Sequence, residues 1–231
     1  MTLSIDEIEL GLEEHPHDLS AWGEWLSYNR RHALSHNRYI DYLKKEGFLI
    51  EDHQKNIWNI ERGNNLEFLR GVVTNEPTIL RISGSELKST QGIEDFIAPN
   101  LGRLDLIDVD GLEITKGFPT LTISNSKINI SDNIDLSGLT FLALNGVKIY
   151  NISKIYDATN LDCLTVKKVS PSLQISNFKN LRIIRGSYNL VKKFGDSDTV
   201  QYIYANHSLS RLMDRGWYPN LEYPFKGKNK R

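Results

Sequence analysis

The sequence predicts an α+β chain: a small helical N-terminal cap followed by an irregular, short parallel β solenoid. Three observations carry this. Residues up to about 70 place Glu, His, Trp and Arg at helical spacing, whereas residues 78–225 are rich in Leu, Ile, Asn, Ser and Thr. Leu-x-Leu units recur through that second part, and Gly and Asn punctuate short apolar runs. The spaces between the units are too short and too irregular for crossover helices.

The N-terminal part reads as helices. Ser4 with Glu7 three residues on matches a capping box, and Ile5, Ile8 and Leu12 then share a face. Pro16 ends that helix, and Asp18 caps a second one with Leu19, Trp22, Trp25 and Leu26 as its apolar stripe. A third helix is expected near Tyr39–Lys45 with Gly47 as its stop. Residues 53–70 read as a further helix or as loop and turn, interrupted at Gly63-Asn64-Asn65.

The repeat is clearest in Leu101-x-x-Leu104-x-Leu106, Leu139-x-x-Leu142-x-Leu144 and Leu161-x-x-Leu164-x-Val166. Weaker copies are Leu80-x-Ile82, Leu121-x-Ile123 and Leu181-x-Ile183, with Ile203-x-Ala205 and Leu221-x-Tyr223 as degenerate last turns. The spacing averages about 20 residues, the short end of the leucine-rich range. A 17-residue step, as from Leu104 to Leu121, leaves room for turns or 3₁₀ pieces but not for a helix on the outer side. One such turn cannot bury its apolar face alone, whereas stacked turns can. The expected architecture is therefore a leucine-rich-repeat-like parallel β solenoid over 76–225, capped by a helical unit over 1–75 and trailed by a basic tail over 226–231. The Trp217–Phe225 segment, with its aromatics and two prolines, would cover the far end.

The segment from Leu10 to Leu26, with its Trp-Gly-Glu-Trp core, resembles the N-terminal helical module of bacterial repeat-companion-domain proteins. Trp58 followed by Phe68-Leu69-Arg70-Gly71-Val72-Val73 is similar to the Trp…Arg-Gly-Phe-Val junction that leads into their leucine-rich repeats. The acidic-Arg-Gly stretch of that family is missing here, and no regular Asn ladder is read in the repeats. The resemblance implies a fold and a binding role, and no reaction.

Composition narrows the function classes. The 231 residues have a formal net charge of −1, which argues against a general nucleic-acid or membrane-surface binder. One cysteine, Cys163, excludes an internal disulfide and a cysteine-based zinc site. There is no run of about 18 apolar residues and no basic, apolar leader at the acidic N-terminus, so a cytoplasmic location is expected. Residues 1–24 sum to −7 and residues 211–231 to +4, a pattern that fits solvated ends or the steering of a partner.

No motif for catalysis emerges. His32 and His36 could share a helix face, but Ala33 stands where a zinc protease needs Glu. His15, His17, His53 and His207 read as surface residues. Gly84, Gly92, Gly102, Gly111 and Gly117 mark turns rather than a phosphate cradle. Asp105 is the only acidic residue at the outward strand positions, which speaks against a carbohydrate-active β-helix enzyme. No cofactor and no metal are expected.

What remains is a surface. Residues between and beside the two apolar positions of each strand face outward. The candidate partner-binding set is Arg103, Asp105, Phe141, Lys167, Arg182, Tyr202 and Tyr204, with Thr120, Thr122, Ala143 and Thr165 beside them. Tyr and Arg are the residue types that anchor interfaces. The sequence therefore predicts a non-enzymatic, monomeric protein-binding chain. Its concrete form is an immunity protein that neutralises a bacterial toxin domain; the alternative is a scaffold or adaptor in a regulatory or host-interaction assembly.

Overall fold

The computed structural model describes residues 40–205 except positions 42, 46, 53, 62, 64, 71, 73, 85, 170–172, 188–190 and 192–196, together with residues 218–221. The two expected N-terminal helices, all six histidines, most of the Trp217–Phe225 segment and the basic tail lie outside the described residues.

Residues 40, 41 and 43–45 are helical and end where the sequence places the stop. Gly47 takes φ 74°. Its N–H donates to the Lys44 carbonyl at 3.2 Å, and the Phe48 N–H donates to the Leu43 carbonyl at 2.9 Å. That pair of bonds is a Schellman closure, and Leu43 and Phe48 are both buried, as the motif prefers.

The chain then turns into strands; the expectation of helix or of loop and turn over 53–70 is corrected at 57–60, while the described residues around this strand are turn, irregular backbone and one 3₁₀ piece. Strands β1 (Leu49–Asp52) and β2 (Ile57–Ile60) form an antiparallel hairpin, with Leu49 opposite Ile60 and Asp52 opposite Ile57. Trp58 and Ile60 of β2 pair with Leu80 and Ile82 of the next strand. They are a first copy of the repeat, with Trp-x-Ile in place of Leu-x-Leu.

From β2 onward the main ladder is parallel and follows chain order. It runs through β3 (Ile79–Ser83), β4 (Arg103–Ile107), β6 (Thr120–Ser124), β8 (Phe141–Ile149), β9 (Cys163–Val169), β10 (Ile183–Gly186) and β11 (Tyr202–Tyr204). The register keeps one apolar column continuous: Trp58, Leu80, Leu104, Leu121, Leu142, Leu164, Ile184 and Ile203. None of these is more than 3% exposed. A one-residue slip in any strand would turn this column to the outside, so burial fixes the register.

A second, shorter parallel ladder stands behind the middle of the first. Strand β5 (Asp110–Ile114) pairs with β7 (Lys127–Ile130), and β7 pairs with the end of β8 at Lys148 and Ile149. Leu112, Ile114, Ile128, Ile130 and Ile149 bury their side chains from this side. The other returning segments contain short 3₁₀ pieces: η1 (Glu67–Leu69), η2 (Ile93–Asp95), η3 (Ile152–Asp157) and η4 (Ile175–Asn177). The expectation of 3₁₀ pieces on this side is met; the second ladder is new.

The described chain is thus mostly β, built on one mixed but mainly parallel sheet of eleven strands. The helical share of the expected α+β class falls almost wholly on residues 1–39, outside the described residues. No helix among the described residues is long and apolar enough to cross a membrane.

Candidate interaction surface

Strand alternation turns two columns of the main ladder away from the core. One holds Arg103, Thr120, Phe141, Cys163, Ile183 and Tyr202; the other holds Arg81, Asp105, Thr122, Ala143, Thr165, Arg185 and Tyr204. Five of the seven sequence-predicted residues fall in these columns: Arg103, Asp105, Phe141, Tyr202 and Tyr204.

The other two stand off them. Leu144 pairs with Val166, but Asn145 then pairs with Lys168, so Lys167 is the extra residue of a bulge and is exposed. Arg182 precedes β10, and Arg185 takes the outward position. The expected inward pair Leu181-x-Ile183 is corrected to Ile184, which pairs with Leu164 on one side and Ile203 on the other. Parity gives the reason. Turning Ile183 inward would also turn Arg185 inward and bury a guanidinium.

Asp105 is on the outward face yet only 2% exposed, because two arginines cover it. The Arg103 Nε donates to Oδ1 at 2.6 Å, and the Arg81 Nη2 donates to Oδ2 at 3.3 Å. A carboxylate so covered orders the two guanidinium groups and presents them, rather than itself, to solvent. Arg81 is absent from the sequence-predicted set, although its place in Leu80-Arg81-Ile82 puts it in the outward slot of the repeat.

At the other end of the face, the Arg185 guanidinium lies 5.3 Å from the centre of the Tyr204 ring. Tyr204 is 38% exposed. Arg over an aromatic face is a cation–π arrangement that fixes both groups. Cys163 sits in the column between Phe141 and Ile183 and is 8% exposed. Burial pushes its thiol up from the ordinary range, and the nearby Arg185 offsets only part of this.

The rim ahead of the strands carries an Asn ladder that the sequence reading missed. The side-chain amides of Asn100, Asn160, Asn180 and Asn220 donate to the carbonyls of Asn75 (3.0 Å), Ser137 (2.8 Å), Thr159 (2.6 Å) and Asp198 (2.6 Å), each one turn back. The signal was Asn-Leu starting four residues before the inward position, as in Asn160-Leu161-x-x-Leu164. Gly117, Gly138 and Thr199 interrupt it, which hid the regularity. Beside this rim the Arg182 Nε donates to Asp162 Oδ1, a bond that raises the guanidinium pKa further. Asn160, Asp162, Asn180, Arg182, Gln201 and Asn220 line a shallow groove of about 480 Å³ there.

Among the described residues no group of three or more His, Cys, Asp and Glu side chains could hold a metal ion. Comparison with family models, curated proteins and solved structures found no match to this chain.

Proposed function

We propose that this chain is a leucine-rich-repeat-like solenoid, of the repeat-companion type that its N-terminal segment resembles, and that it binds a protein partner without catalysing a reaction. The concrete form of the proposal is a cytoplasmic immunity protein that neutralises a cognate bacterial toxin. The observation that carries the binding role is the exposed Tyr204–Arg185 pair beside Tyr202 on the outward face of a regular sheet. A guanidinium held over a ring leaves both groups with less freedom to lose on binding, and Tyr and Arg dominate interface energetics.

The test is co-expression with the product of the adjacent gene. The expected result is a stable one-to-one complex and protection of cells that express the neighbour, both lost in Tyr204→Ala combined with Arg185→Ala. Complex formation without protection would favour the scaffold or adaptor. A monomer that ignores its neighbour and leaves the cells unprotected would overturn the immunity proposal.

A further inference from the structure

The outward face carries an excess of positive charge. From β3 to β11 its strand positions include Arg81, Arg103, Lys168 and Arg185, and Lys167 bulges beside them. Asp105 is the one carboxylate among those positions, which leaves the face at +4 on a chain whose net charge is −1. The second ladder is balanced by contrast: Lys127 there pairs with Asp110 at 2.9 Å, and its further charges are Lys148, in register with Lys127, and Glu113, in register with Asn129.

The two arginines nearest Asp105 are held by hydrogen bonds to it. Each gives one described hydrogen bond to the same covered carboxylate, from neighbouring positions on β3 and β4. A guanidinium has five N–H donors in a planar fork, so each retains donors for a second acceptor. Their side chains are 30% and 42% exposed. Two forks held by a shared anion on rigid strands form a receptor for carboxylates, with most of the ordering cost met before binding.

We infer that this face receives an acidic protein surface, with Arg81 and Arg103 taking its carboxylates and Asp105 acting as their positioning residue. The inference rests on the protein-binding proposal above and names the chemistry of the partner.

The probe is poly-L-glutamate, titrated at low ionic strength against a single-stranded DNA of equal charge. Poly-L-glutamate is expected to bind, to bind more tightly than the DNA, and to weaken as salt rises. Arg81→Glu with Arg103→Glu should weaken it about tenfold or more, whereas Lys127→Glu with Lys148→Glu on the second ladder should change it less than about twofold. Should the first pair fail to fold beside Asp105, Lys168→Glu with Arg185→Glu makes the same test at exposed positions. Failure to bind, equal losses on both ladders, or a preference for DNA would each overturn the inference. The complex with the adjacent gene product separates the two proposals. If it forms but its association rate ignores both salt and Lys168→Glu, the acidic-partner inference falls while protein binding stands.

Discussion

Gly117 runs so close to the Asp135 backbone that a Cβ there would lie 2.1 Å from the Asp135 carbonyl oxygen. This closeness belongs to the shortest step of the main ladder, from Leu104 to Leu121, where the chain makes β5 and must return within a few residues. Gly117→Ala is expected to cost at least about 1–3 kcal/mol, because the obstacle is backbone and cannot swing aside. Gly102, where a Cβ would meet nothing within 4 Å, is the control. Gly102→Ala should be neutral or stabilise by up to about 1 kcal/mol through the unfolded chain. Urea denaturation of the two variants checks both values.

The Asn rim makes a second expectation. Asn180→Ala removes the bond to the Thr159 carbonyl and should cost about 0.5–1.5 kcal/mol. Asn180→Asp should be worse than Ala at neutral pH, since a carboxylate oxygen would then face the carbonyl where an amide donated. Thermal melts of the pair against wild type would show whether the order holds.

Ile183 and Ile184 are adjacent and chemically equal, yet only Ile184 joins the inward column. Ile184→Ala should cost about 2–5 kcal/mol and Ile183→Ala under about 1 kcal/mol, read from chemical denaturation. Equal costs would refute the register.

The same pair marks where the sequence was legible. Wherever Leu or Ile alternated with a polar residue, as in Leu104-Asp105-Leu106 or Leu121-Thr122-Ile123, parity and strand position followed directly, and with them the outward places of Arg103, Phe141 and Tyr202. At Leu181-Arg182-Ile183-Ile184 the alternation is broken, and only the neighbouring strands choose the phase. Trp58-Asn59-Ile60 hid a strand because Trp replaced the expected Leu. The covering of Asp105 depends on Arg81, 24 positions away, and no local pattern carries that contact. The second ladder was missed although Leu112-Glu113-Ile114, Ile128-Asn129-Ile130 and Val147-Lys148-Ile149 each alternate: these short pairs lie only a few residues after a main-ladder strand, and their pairing appears only once the first ladder sets the segments side by side.

A fourth expectation concerns acid. The Gly92 N–H donates to Glu94 Oε2 at 2.7 Å, and the Thr115 hydroxyl donates to Oε1. Burial alone would raise this carboxyl, but the hydrogen bonds outweigh it and hold it below the ordinary glutamate range. A depressed folded-state pKa means stability that is present above the unfolded value of about 4.3 and is lost as pH falls through the folded one. Glu94→Gln should therefore be less stable than wild type at neutral pH, with the gap closing as pH drops below that range. A gap that stays constant with pH would refute the assignment.

The uneven distribution of ladders has a consequence for how the molecule opens. Strands β4, β6 and β8 are tied to their neighbours directly and again through β5 and β7, whereas β10 holds β11 by three register pairs and β9 by four. Amide exchange should report this as a slow centre and a fast C-terminal flank, because local opening follows the number of bonds that must break together. The flank that opens first is the one that carries Tyr204 and Arg185. A ligand seated on that pair would therefore announce itself twice, once by its own affinity and once as slowed exchange in strands it does not touch, since closing the last strands closes the turns beneath them.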